Sequence, residues 1–202
     1  METLIPAALG ILFGLLGLLW GADRFVAGSA GAAKNFGVSP LVIGLTIVSI
    51  GTSAPEIIVA INAALKDAGD MAVGNAIGSN LANIGLVLGI TAIICPIPTQ
   101  GHLIKQEGPV LLAVTLLAGF FIFDGMLLRP DGISLACIIP PLLALTVYYK
   151  KRHPNPETVE EGEAIPSMST TAALLWFLVG LGALLLSSEA LVWGAKQFAL
   201  FF

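Results

Sequence analysis

Charge is scarce in this 202-residue chain: Asp, Glu, Lys and Arg make up 11% of it, where a soluble domain carries about a quarter. A surface so poor in charge does not suit water. No basic stretch interleaved with aromatic residues is present, which argues against nucleic acid as a partner. The net charge of −4 is too small to select a partner by sign. The only cysteines, Cys95 and Cys137, sit in apolar stretches without CxxC spacing. They read as packing residues, not as a disulfide or a metal pair. The two histidines, His102 and His153, fall in polar connections, so no histidine is embedded as a ligand or base. Serines without an embedded histidine have nothing to activate them, and no HExxH is present, which disfavours a membrane-embedded hydrolase. The start lacks the positive flank and small-residue cleavage site of a secretory signal and reads as a first span, retained.

What the chain does have is apolar length. Hydrophobic residues make up 56% of it, and the mean hydropathy is +0.94. Six apolar segments emerge, each closed by charge or by Pro and Gly. They run from about Leu4 to Ala33, Pro40 to Leu65, Met71 to Ile97, Val110 to Phe123, Ile133 to Tyr149, and Ala172 to the end. A span needs roughly 20 mostly apolar residues, and backbone groups in hydrocarbon must bond internally, so helices are the economical form. A barrel would need short alternating strands instead. The expectation is an all-α polytopic membrane protein with six transmembrane helices. With the N-terminus outside, the inner connections hold Lys34, Lys105, Lys150, Lys151 and Arg152, and the outer ones only Lys66 and Arg129, which favours that orientation. The segment 150–171 is then a cytoplasmic linker between a first part, 1–149, and a last helix, 172–202. Its acidic run of Glu157, Glu160, Glu161 and Glu163 lacks the oxygen-ligand spacing of a calcium loop and reads as solvated linker.

An internal repeat is visible. Setting Gly21–Ser29 against Ser187–Ala195 places Asp23 on Glu189, Val26 on Val192 and Gly28 on Gly194. Five helices separate equivalent positions, so the second copy is expected to be inverted in the membrane, a transporter signature. On this offset Phe202 corresponds to Phe36, and a copy of the segment from Pro40 onward would begin just beyond.

The chemistry concentrates in two polar stripes. The second segment contains Ile50-Gly-Thr-Ser-Ala-Pro-Glu56, and a carboxylate in mid-span points to function by default. Ser49, Thr52, Ser53 and Glu56 are spaced three or four apart and form one polar stripe on an otherwise apolar helix. Pro55 has no N–H for the carbonyl of Gly51, which frees an acceptor beside the carboxylate. Hydroxyls, a bare carbonyl and a carboxylate suit a hard cation such as sodium or calcium. The plainer alternative is that the hydroxyls bond back to their own helix and Glu56 pairs elsewhere, with Arg24 or Lys196 as conceivable partners. In the third segment Asn75, Ser79 and Asn83 recur every four residues, while Gly74 and Gly78 have the spacing that lets membrane helices approach closely.

The runs Gly37–Glu56 and Gly74–Gly89, with Gly-Thr-Ser-Ala-Pro-Glu and Gly-Asn-Ala-Ile-Gly-Ser-Asn at their centres, closely resemble the first α-repeat of the cation/calcium exchanger superfamily, nearest its prokaryotic sodium/calcium antiporter branch. The resemblance implies two inverted five-helix halves with a broken second helix in each, in a prokaryotic plasma membrane. It implies that Glu56 is a shared sodium and calcium ligand, that Thr52 and Ser53 add oxygens, that Ser49 offers its backbone carbonyl, and that Ser79 and Asn83 complete this half of the site. Asn75 is a lesser candidate.

The implied activity is exchange of sodium for calcium by alternating access, with no cofactor and with the lipid bilayer and the two ions as partners. The coupling ion is left open among sodium, potassium and protons. The family's second acidic repeat is missing, and one carboxylate cannot balance a divalent ion in a low-dielectric site. The expectation is therefore that the chain does not transport as a monomer. It is a truncated half, a fragment serving as an assembly partner, or a half that pairs with a second half or with itself.

Overall fold

The computed structural model of the chain describes residues 4–97, 103–152 and 166–200. The expectations for His102, His153 and the acidic run 157–163 lie outside the described residues. All regular structure described is helical. Helix α1 is Leu4–Asn35. Helix α2 starts at Pro40–Ile43, winds as a π-helix over Gly44–Val48 and ends with Ser49–Thr52. Helix α3 is Ala54–Leu65, α4 is Gly69–Ile94, α5 is Gly108–Ile122, α6 is Arg129–Arg152 and α7 is Thr170–Ala199. Four of these are long and apolar enough to cross a membrane, namely α1, α4, α6 and α7, and the bent pair α2–α3 makes a fifth. Helix α5 is apolar but has 15 residues, about 22 Å at 1.5 Å per residue, short of a hydrocarbon core of about 30 Å. The chain is thus an integral, multi-pass membrane protein.

The second apolar segment is broken, as the resemblance implies, and its polar residues therefore do not share one straight stripe: Ser53 leaves the helical region at φ −92°, ψ 4°, and the axis bends by 51° there. The cause is local. Pro55 cannot donate to the carbonyl four residues back, and its ring crowds that carbonyl, so the helix stops and restarts with Pro55 in its first turn.

Two units make up the chain. The first comprises Met1–Ala82 and Lys150–Phe202. Its spine is the pair α1 and α7. Gly14 lies against Ser187 and Leu191, where an added Cβ would come within 2.9 Å of backbone, and Gly28 lies against Ala173 and Phe177. The partner number falls as the α1 number rises, so the two helices run antiparallel. From α7, Gly180 meets Arg24 and Phe25, and Gly194 meets Ala7 and Ile11. Glycines 10, 14, 17, 21, 28 and 31 of α1 fall at alternating spacings of three and four, or seven across Arg24, the period of a left-handed seam. Without side chains there, the backbones approach closely, as small residues permit between membrane helices. The seam was not singled out in the sequence, whereas Gly74 and Gly78 were. At both of those positions an added Cβ would meet open space. Helix α3 packs onto the pair through a cluster of Leu18, Ala54, Val59, Ala63, Leu184 and Val192.

The second unit is Asn83–Tyr149. None of its described residues is buried. Gly125, at φ +79°, turns the chain between α5 and α6, and the carboxylate of Asp131 accepts the N–H of Leu128 at 2.9 Å. Cys95 and Cys137 are free and exposed; they fill no core, because they lie in this unit, where helices expose apolar sides throughout.

Candidate ion-binding site

The break at Ser53 places two opposite helix ends side by side. Helix α2 ends there with outward carbonyls, and α3 begins there with Glu56 in its first turn. A carboxylate is electrostatically at home at a helix N-terminus. The spacing Ser53-x-x-Glu56 is that of a capping box, in which the serine would bond the third N–H and the glutamate would reach back. That box is not formed: Ser53 makes no side-chain cap bond. Glu56 Oε2 is buried with no hydrogen-bond partner. A buried, unsatisfied polar atom costs about 1–3 kcal/mol, more if charged, so it calls for an explanation, and a role as an ion ligand is one.

The surrounding groups fit that explanation. The Thr52 hydroxyl donates to the Ser49 carbonyl at 2.9 Å, and the Ser49 hydroxyl donates to the Gly44 carbonyl at 3.0 Å. Back-bonding to the helix is therefore real. It occupies each hydroxyl hydrogen and leaves oxygen lone pairs on Thr52 and on the Ser49 carbonyl, so it is compatible with holding a cation. Thr52 and Ser53 are exposed at the break. From α4, the Asn75 amide donates to the Glu56 backbone carbonyl at 3.1 Å, which assigns it a fixing role at the start of α3. Ser79 is half-buried on the same helix, one turn on, and Asn83 is exposed and belongs to the second unit.

Neither conceivable partner reaches Glu56. The Arg24 guanidinium stacks on Trp176, 4.6 Å from the ring centroid, and also lies over Trp20. Lys196 donates instead to the Lys66 carbonyl at 3.1 Å. Lys66 itself pairs with Glu189. Among the described residues no three His, Cys, Asp or Glu side chains converge on one point.

On the α1 side of the break lies a cavity of about 410 Å³, lined by Asp23, Val26, Gly51, Thr52, Pro55 and Pro166 among others. A Cβ on Gly51 would collide with Val26 Cγ2, so the glycine lets the break press against α1. Asp23 was visible in the sequence only through the repeat; nothing local linked it to Thr52.

The chain is similar to known proteins. The family described as sodium/calcium exchanger protein matches residues 6–147. The chain is 43% identical over 199 residues to CaxA of Alkalimonas amylolytica, covering 97% of this chain and 62% of that protein. It is 42% identical over 113 residues to the sodium/calcium exchanger MaX1 of Methanosarcina acetivorans, covering 56% of this chain and 32% of that one. A solved structure of the sodium-calcium exchanger NCX_Mj, soaked with sodium and strontium, superimposes with a TM-score of 0.54 at 36% identity, over 98% of this chain and 63% of that one. The chain thus spans less than two thirds of the length of these relatives. With its broken, glutamate-bearing helix inside the matched region, it belongs to the sodium/calcium exchanger family, whose members are transporters and not enzymes.

Proposed function

We propose that this chain provides one half of the ion-translocating site of a secondary antiporter that exchanges sodium for calcium by alternating access. The observation that carries the proposal is the buried, unpartnered Oε2 of Glu56 at a helix break. Glu56 is the charged ligand, and Thr52, Ser53 and the Ser49 carbonyl add oxygens from the break. Ser79 adds an oxygen from α4. Half-helix ends that face each other near mid-membrane are a recurrent way for transporters to hold sodium. One carboxylate leaves a divalent ion underbalanced, so a second acidic ligand set, from an inverted copy of these helices, faces Glu56 in the working exchanger.

The inverted repeat has support in the packing. A shift of 166 residues carries Gly14 to Gly180, Asp23 to Glu189 and Gly28 to Gly194. The same shift relates their contacts. Gly14 meets Ser187 and Leu191, and Gly180 meets Gly21 and Phe25; Gly28 meets Ala173 and Phe177, and Gly194 meets Ala7 and Ile11. A two-fold axis across an antiparallel pair has this property. On this reading α1 opens the first repeat and α7 the second, with α5 counted among six spans and the linker 150–171 in the cytoplasm.

The test is sodium-driven calcium uptake into vesicles by an exchanger that contains this chain. Glu56→Gln keeps the shape, removes the charge and should abolish uptake; normal uptake would remove Glu56 from the site. For the orientation, a cysteine at Glu161 should resist membrane-impermeant thiol reagents in intact cells, and ready labelling there would reverse the topology.

A further inference from the structure

The repeat singles out Glu189, a carboxylate on α7 that the ion site does not use. It ties α3 down. Its Oε1 pairs with Lys66, and its Oε2 accepts from the Asn62 amide at 3.4 Å. Asn62 and Lys66 are one turn apart on α3, so one carboxylate engages two successive turns. The Asn62 amide also donates to the Ser188 hydroxyl at 2.8 Å, and Ser188 is fully buried. Lys196 closes the group by donating to the Lys66 carbonyl at 3.1 Å. That carbonyl is at the C-terminal end of α3, where a cation offsets the helix dipole.

The attachment matters because of the break. A continuous helix would take its direction from α2, but the 51° bend at Ser53 removes that control. At its N-terminal end α3 is bonded across to a neighbour by Asn75; the remaining side-chain bonds that reach it converge on its far end. Glu56 lies ten residues from Lys66, about 15 Å along the axis. A tilt of about 4° over that length moves the carboxylate about 1 Å, more than the roughly 0.5 Å within which a binding site must be held.

We propose that Glu189 is a positioning residue for the ion site: through Asn62 and Lys66 it sets the direction of α3 and thereby the place of the Glu56 carboxylate. The proposal rests on the reading of Glu56 as an ion ligand. It makes no use of Glu189 as a ligand itself.

Nitroxides at Ile57 on α3 and Leu12 on α1, both exposed, report the direction of α3 in an exchanger that contains this chain, held in lipid nanodiscs, and calcium titration is read from the same pair. E189Q should broaden the distance distribution and raise the calcium midpoint about tenfold, as loss of an outer-shell partner does. Lys66→Glu alone should do the same. The reversal Lys66→Glu with Glu189→Lys should restore both the width and the midpoint, which general destabilisation would not do, and it serves as the second variant if E189Q does not fold. Parental width and midpoint in E189Q, or a reversal no better than Lys66→Glu, would overturn the proposal. Glu56→Gln is run alongside. If calcium still acts on that variant, the ion-site reading fails, and the distance distributions alone then decide whether Glu189 directs α3.

Discussion

Glu56 and Glu189 are both carboxylates on apolar helices of the first unit, in opposite circumstances. Glu189 sits on the α7 spine, exposed, with a lysine and an amide in reach. Glu56 sits at the break, with a buried oxygen and no partner. Their surroundings differ in the same sense. The spine is closed by glycines that bring backbone to backbone, and the break leaves the buried Glu56 Oε2 without a hydrogen bond. On the proposed function, the unsatisfied region is the one that binds and releases an ion, and the closed one is the frame that holds it.

The largest expected effect would break the frame. Gly28→Leu puts a branched side chain where a Cβ alone would come within 2.7 Å of the Ala173 carbonyl oxygen. Overpacking a core usually costs about 1–3 kcal/mol; here the obstacle is backbone, so the loss should reach at least the top of that range. Gly78→Leu, at an open position, should change stability by less than about 0.5 kcal/mol. Denaturant unfolding of the chain in detergent compares them. Equal losses at the two positions would mean that the α1–α7 seam is no tighter than the rest.

These two glycines also show where sequence reading stops. Gly74 and Gly78 have the spacing of a helix contact but meet nothing in this structure, because spacing identifies a face able to approach and not whether another helix is there. The seam of α1 was legible in principle as glycines at heptad spacing, yet its partner is more than 130 residues away along the chain. Glu56, by contrast, was legible because a carboxylate, three hydroxyls and a proline within eight residues are local chemistry. The break followed from Pro55, but its angle did not. The Lys66–Glu189 pair joins residues 123 positions apart, and no local pattern proposes it.

The next effect sharpens the contrast between the carboxylates. Glu56→Gln should lower calcium affinity by at least about 100-fold, beyond the 10–100-fold typical of outer-shell groups. In the absence of ions the same substitution should raise stability by up to about 1 kcal/mol, because it removes a partly buried charge that only the N-terminus of α3 offsets. Glu189→Gln should instead lower ion-free stability slightly, as loss of an exposed ion pair does. Opposite signs in calcium-free unfolding are the point of the comparison. Two losses of the same sign would mean that Glu56 is held by protein groups and is not waiting for an ion.

The smallest effect concerns two serines at helix starts. Ser169 caps α7, its hydroxyl accepting the N–H of Ala172 at 3.3 Å; Ser53 stands at the same position of α3 and makes no such bond. A serine that caps is worth about 1 kcal/mol over alanine. Ser169→Ala should therefore cost about that much, and Ser53→Ala less than about 0.5 kcal/mol, although the sequence Ser-x-x-Glu gives Ser53 the stronger capping signature. The stability difference is small, but the calcium titration runs the other way. Removing the Ser53 hydroxyl takes one neutral oxygen from the break and should weaken binding several-fold, in keeping with about 1 kcal/mol for one lost polar contact, whereas Ser169→Ala should leave binding unchanged. If Ser53→Ala lost stability and kept its affinity, its hydroxyl would be a cap after all, and the open character of the break would rest on Glu56 alone.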